Sequence, residues 1–269
     1  MKYPAPLRLV MSTLLVAGAA LTPAMASAEG AESGQWHYTL GIYGYMPQLN
    51  TQTQFPGASQ IIDSELTFHQ IVENLKMGFM GAGGAHNGTW GVFTEVLYLD
   101  LGGSTSKTRN FTVDNVTVPL QADVNVDVKA TIWTLAGDYR VLDNPDWTVD
   151  LLGGFRMLEL KARLNYSISN PLGATGGRKD ASGTDWNGII GAHGRYHFGD
   201  NKQWFVPFYL DAGTGQSQST WQALAGIGYK FRWGDAIASW RYLDFKGKSD
   251  KIVQDLKLNG PMIGIALHW

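Results

Sequence analysis

His193, Arg195 and His197 alternate along one short stretch, and two imidazoles around a guanidinium invite a metal or anion site. The spacing argues against the metal. Residues two apart on a strand are separated by about 6.8 Å and residues four apart by about 13.5 Å. A shared ion needs each donor atom within about 2.1 Å. Covalent chemistry would need a nucleophile with a base in hydrogen-bond reach. Ser239 precedes Trp240 with no His beside it, and His69 with Glu73 falls at a helix-surface spacing. No catalytic residue, metal site or cofactor motif is therefore expected, and an enzyme is without support.

A larger set of charges shares one phase of an alternating pattern. Glu95, Asp138, Arg140, Asp150, Arg156, Arg195, Asp211, Lys230, Arg232 and Arg241 all fall opposite apolar neighbours. Gathered in a narrow space they would pair with one another in a low dielectric. Lining an open channel, they would form a charged constriction that selects among solutes.

The elements that must hold these residues are strands. From Trp221 to Trp233 one face reads Trp221, Ala223, Ala225, Ile227, Tyr229, Phe231, Trp233, and the other carries Gln222, Leu224, Gly226, Gly228, Lys230 and Arg232. The last segment repeats the pattern, with Ile263, Ile265, Leu267 and Trp269 on one face and Met262, Gly264, Ala266 and His268 on the other. Aromatics at both ends of an apolar face, backed by small and charged residues, are the profile of a strand between lipid and a polar lumen. The reverse assignment would put Lys230, Arg232, Arg195 and Arg241 into hydrocarbon, at about 2–4 kcal/mol each near the midplane. Four such costs rival a typical folding free energy of about 5–15 kcal/mol.

The expected fold is all-β, a transmembrane antiparallel up-and-down barrel of about ten strands. The strands are placed at 36–47, 75–86, 90–102, 126–141, 147–165, 185–199, 204–215, 220–233, 236–247 and 256–269. Short turns fall at 87–89, 143–146, 199–202 and 234–235, with longer connections at 48–74, 103–125, 166–184 and 248–255 and a shorter one at 216–219. An extra strand or a folded-over hairpin could hide within 110–128. In the first long loop Thr67 and Gln70 read as a capping box, with Phe68, Ile71, Val72 and Leu75 at i, i+3, i+4, i+7, so a short helix is expected over 67–75 as lid, plug or interfacial element.

Lys2 and Arg8 precede an apolar run from Leu9 to Leu21, then Pro23 and the small-x-small sites Ala24-Met25-Ala26 and Ala26-Ser27-Ala28. That is a secretory signal, expected to be cut after Ala28, leaving residues 29–269 as one barrel domain. Removing Lys2 and Arg8 leaves 21 − 2 = 19 bases against 23 acids, a balance that gives no sign of a nucleic-acid partner. Cysteine is absent, so an exported fold must be held by hydrogen bonding and packing rather than disulfides.

The final strand, Ile263-Gly264-Ile265-Ala266-Leu267-His268-Trp269, resembles the C-terminal assembly signal of outer-membrane barrels, although Trp stands where that signal usually has Phe. Trp36 to Pro47 and Asp63 to Tyr98, with the Trp90-Gly91 pair, resemble a group of uncharacterised proteobacterial outer-membrane β-barrel proteins. The resemblance implies location in the outer membrane and contact with its lipids, its lipopolysaccharide and its assembly machinery; it brings no activity. Two roles are expected to compete. One is a side-chain-filled barrel that is structural or acts through its outer loops, where Lys107, Arg109, Arg178 and Lys179 could meet lipopolysaccharide phosphates. The other is a small passive pore, for which Gly137, Gly191, Gly226, Gly228 and Gly264 would leave space. A lipid-modifying enzyme trails both. Arg at Ile265 should hinder insertion, and Arg at Gly264 should be better tolerated.

Overall fold

A computed structural model describes residues 34–53, 62–66, 75–113, 116–170, 173–248 and 253–269. The strands are β1 (His37–Tyr45), β2 (Gln48–Thr53), β3 (Ile62–Leu66), β4 (Leu75–His86), β5 (Trp90–Val113), β6 (Val116–Asp143), β7 (Trp147–Asn170), β8 (Gly173–Phe198), β9 (Trp204–Gly215), β10 (Ser219–Lys230), β11 (Gly234–Lys246) and β12 (Val253–His268). Neighbours in sequence pair antiparallel from β4 through β12, β1 pairs β4, and β1 closes the ring on β12. Pro47 has no N–H for a ladder, and the chain breaks there between β1 and β2. β2 then continues along the outer half of β12, and β3 pairs β2. The twelve segments therefore make ten positions around a closed wall.

Closure with tilted strands requires a stagger. Following paired residues from Ala266 leads through Gly41, Ala82, Glu95, Thr134, Arg156 and Asn187 to Gly215. Continued through the β10 and β11 registers, the path returns to β12 at position 254, a stagger of about 12 (266 − 254) and a strand tilt of about 40°.

The alternation sorts side chains as the composition requires. Leu40, Ile42, Leu151, Ile190, Leu210, Ile227, Ile263 and Ile265 point outward, Ile190 to the extent of 74% exposure. Rows of aromatics bound this apolar band. Trp90 packs on Tyr139 and Trp147 on Tyr196 at one rim, while Trp133 packs on Trp186 and Trp221 on Tyr242 at the other. Trp186 and Tyr196 lie ten residues apart on β8 (196 − 186). That is about 33 Å along the strand and about 25 Å along a tilted axis, the height of an outer-membrane barrel's lipid belt. The wall is that of an outer-membrane β-barrel. Its short turns, by the same rule, face the periplasm.

Two of those turns are built alike. Asn87 Oδ1 accepts from the Thr89 and Trp90 N–H groups, and Asn144 Oδ1 accepts from those of Asp146 and Trp147. Each Asn side chain thus satisfies the donors of a tight turn and delivers a girdle Trp to the interface.

Several boundaries differ from the sequence reading. Residues 103–113, 116–125, 166–170 and 173–184, expected as loops, are strand, so β5–β8 run 24 to 28 residues while β9–β11 have 12 or 13. Above the outer girdle no lipid demands an apolar face, and the pattern that marked the strands below disappears. Ion pairs take its place, with Lys129 Nζ 2.9 Å from Asp100 and Arg163 Nε 3.0 Å from Asp180. β2 and β3 occupy part of the expected 48–74 loop. The helix expected over 67–75 lies outside the described residues except Leu75, which opens β4. The last short turn is 231–233, closed by the Phe231 N–H donating to Gly234 O. The signal segment also lies outside the described residues.

Candidate functional site

The lumen has three levels, built from inward-facing side chains. The outermost is apolar. Leu97, Leu99 and Leu101 of β5, Ile132 of β6, Leu158 and Leu160 of β7, Leu243 and Phe245 of β11, and Leu256 and Leu258 of β12 form one buried cluster with Tyr45 and Met80. This corrects the expectation of a polar lumen throughout. Leu97, Leu99 and Leu101 share the phase of Glu95, so the signal was present in the sequence.

Below this plug lies a charged level. Arg241 of β11 meets Glu95 of β5 in a bidentate pair, Nη1 to Oε1 at 2.7 Å and Nη2 to Oε2 at 2.9 Å. Four steps around the ring separate these strands, so the pair crosses the lumen. Gln222 Oε1 accepts from Arg241 Nη2 at 2.9 Å, the Tyr43 hydroxyl donates to Glu95, and the guanidinium lies over the Tyr45 ring at 5.5 Å. A second fork joins Arg156 of β7 to Asp211 of β9, both without side-chain exposure. Thr134 accepts from Arg156 Nε at 3.2 Å and the Tyr209 hydroxyl donates to Asp211. Charges in a low-dielectric interior need partners and hydrogen bonds together, and both pairs have them.

The third level is the periplasmic mouth. Arg140 donates to both oxygens of Asp150, at 2.8 and 3.1 Å. His86 Nε2 stands 3.6 Å from Asp138 and 3.8 Å from Asp150, and His193 Nε2 stands 3.5 Å from Asp138. Farther round the rim, Asp235 accepts from Arg195 at 2.6 Å and contacts His268 Nε2 at 2.8 Å, with Arg195 lying over the Phe205 ring.

Of the residues singled out from sequence, Glu95, Arg156, Asp211 and Arg241 form the charged level, and Asp138, Arg140, Asp150 and Arg195 line the mouth. Lys230 is the exposed last residue of β10, and Arg232 is exposed in the 231–233 turn, outside the wall. The alternation runs on through Lys230-Phe231-Arg232-Trp233 although the chain is already turning, and it overran the strand end. Ile263, Ile265 and Leu267 face outward from β12, with Trp269 exposed just beyond its end. Tyr43, Thr134, Tyr209 and His86 were missed, and Gln222 was placed on the inward face without a role, because neutral polar residues at inward positions look like any other break in an apolar run.

The glycines do not open a channel. A Cβ at Gly228 would lie 2.2 Å from the Phe205 ring, at Gly191 2.8 Å from Asp211 Cβ, and at Gly226 2.5 Å from Ser239 Cβ, so neighbours already fill each hollow. Gly137 is exposed on the outer face. At Gly264 a Cβ would lie 2.6 Å from Tyr43 Cβ at the closing seam, a crowding that counts against Arg there.

The chain is similar in fold to several solved barrels. The attachment invasion locus protein Ail of Yersinia pestis matches over 88% of this chain and 99% of its own, at 12% identity and a TM-score of 0.32. The outer membrane protease OmpT of Escherichia coli matches over 88% and 96%, at 9% identity and a TM-score of 0.48. The translocator domain of autotransporter NalP of Neisseria meningitidis matches over 87% and 88%, at 12% identity and a TM-score of 0.38. No protein-family model and no curated protein sequence matches.

Proposed function

We propose that this chain is an outer-membrane barrel closed to solutes, which acts structurally or through the surface it raises outside the cell. The observation that carries the closed state is the Glu95–Arg241 pair spanning the lumen beneath a buried apolar cluster. An ion moving through would have to break a bidentate pair whose guanidinium is buried and then cross leucine side chains, which offer no substitute for hydration. The surface in question is the four-stranded rise of β5–β8, whose outward cations Lys129, Lys161, Arg163 and Arg178 are interleaved with Asp100, Glu159 and Asp180. Its place just above the outer girdle suits lipopolysaccharide phosphates and sugars as the first partners.

The test is single-channel recording from the refolded chain, begun at the expected cleavage point after residue 28, in a planar bilayer. A heat-sensitive gel shift verifies folding. A folded and silent protein is the expected result. Discrete, salt-dependent steps whose ion preference inverts on Arg241→Glu would replace this reading with the passive pore.

A further inference from the structure

Four strands bring ligand-type side chains to the periplasmic mouth, three of them to one point. His86 comes from β4, Asp138 from β6, Asp150 from β7 and His193 from β8. Donor atoms of His86, Asp138 and Asp150 all lie within 4.8 Å of one another. Asp138 has a side-chain exposure of 5%, and its Oδ1 is buried without a hydrogen-bond partner, as are His86 Nε2 and His193 Nε2. A buried carboxylate left this way is costly unless a cation joins it. The Arg140 fork is committed to Asp150, and among the described residues Asp138 is left with the two imidazoles.

The spacings point to the missing partner. Atoms 3.6 and 3.8 Å apart subtend about 118° and 130° at an ion about 2.1 Å from each, within the range of a distorted tetrahedron. A water at about 2.8 Å would see the closer pair at only about 80°, too narrow for its own geometry. Gly91 lets the two side chains approach each other. A Cβ there would fall 2.3 Å from Asp138 Oδ1 and 2.5 Å from His86 Cδ2, so only glycine at 91 admits both side chains where they stand.

We propose that His86, Asp138 and Asp150 bind a divalent transition-metal ion of the zinc class, with His193 beside Asp138 as an additional donor. Imidazole and carboxylate together suit such an ion better than calcium or magnesium, which prefer oxygen alone. The Gly88 N–H donates to His86 Nδ1 at 2.8 Å, which places the neutral ring's proton on Nε2. Binding moves that proton to Nδ1 and turns the Gly88 N–H toward water, so one turn hydrogen bond is exchanged for metal bonds. The imidazoles keep 21% and 28% side-chain exposure, so the ion enters from the periplasmic side. The site lies apart from the Glu95–Arg241 pair and does not depend on whether the barrel conducts.

Zinc titration of the refolded, chelator-stripped full chain tests the assignment, with cobalt absorption reporting the ligand geometry. One zinc per chain is expected, bound at low micromolar or tighter. Asp138→Asn should weaken it at least about 100-fold, the upper end of what second-shell losses cause. His197→Gln, about 13 Å along β8 from His193, should leave affinity within about twofold. Should Asp138→Asn fail the gel-shift test of folding, His86→Ala takes its place with the same expected loss. Equal affinity in wild type and the ligand variant, loss in His197→Gln, or displacement of zinc by an equal concentration of calcium would each overturn the proposal.

Discussion

The Glu95–Arg241 pair makes the state of the lumen measurable as an energy. Its oxygens and nitrogens are 2.7 to 2.9 Å apart, which places the charge centres about 4 Å from each other. Two unit charges at that distance interact by about 1 kcal/mol in bulk water and about 4 kcal/mol at an effective dielectric constant near 20. A double-mutant cycle of Glu95→Gln and Arg241→Met isolates this coupling from the loss of packing that each substitution also causes. The assay is urea unfolding from lipid vesicles, followed by the emission of the chain's 10 tryptophans. The expected coupling is about 3–4 kcal/mol. Glu95→Gln alone should cost about 3–5 kcal/mol, because Arg241 at 1% side-chain exposure keeps its charge without its counterion. A coupling below about 1 kcal/mol would mean that water surrounds the pair, and the closed-lumen reasoning would fail at its centre.

Arg156→Leu should destabilise the barrel by about 3–5 kcal/mol, since it strands Asp211 at no side-chain exposure; the same urea assay reads it. Leu97→Ala, at 1% exposure in the apolar plug, should cost about 2–5 kcal/mol by the cavity it leaves, without producing current in a planar bilayer. Ile265→Arg should lower the folded fraction on a heat-shift gel by placing a cation in lipid, at about 2–4 kcal/mol. Gly264→Ala should lower it too, from the opposite side of the same strand, because its methyl group meets Tyr43 at the seam.

The wall was readable from the sequence because lipid imposes a rule that water does not. Where one face meets hydrocarbon, as along Trp221 to Tyr229 or Ile263 to Leu267, each position is either apolar or turned inward, and phase and register follow. Above the girdle both faces tolerate polar residues, so the long ends of β5–β8 carried no such mark and read as loops. The lumen was partly readable. Alternation places Glu95 and Arg241 on inward faces, but pairing them requires the curvature that brings β5 opposite β11. The meeting of His86 with Asp138 and Asp150 was hidden for a different reason. Its members lie on three strands, and their approach is permitted by Gly91 on a fourth, where sequence shows only the absence of a side chain.

The seam between β1 and β12 has a consequence for how the molecule comes into being. Thr39 and His268, 229 residues apart, are joined across it, and the Tyr38 and Trp269 backbones exchange both of their hydrogen bonds. Every other wall contact below the girdle except β1 with β4 is between strands adjacent in sequence and can form early at little entropic cost. The seam is the most non-local contact of all. Until it forms, two bare ladder edges would stand in hydrocarbon, where each unmet backbone group costs several kcal/mol. Closing the ring and entering the bilayer are therefore energetically coupled, because neither edge stands unpaired in hydrocarbon without that cost.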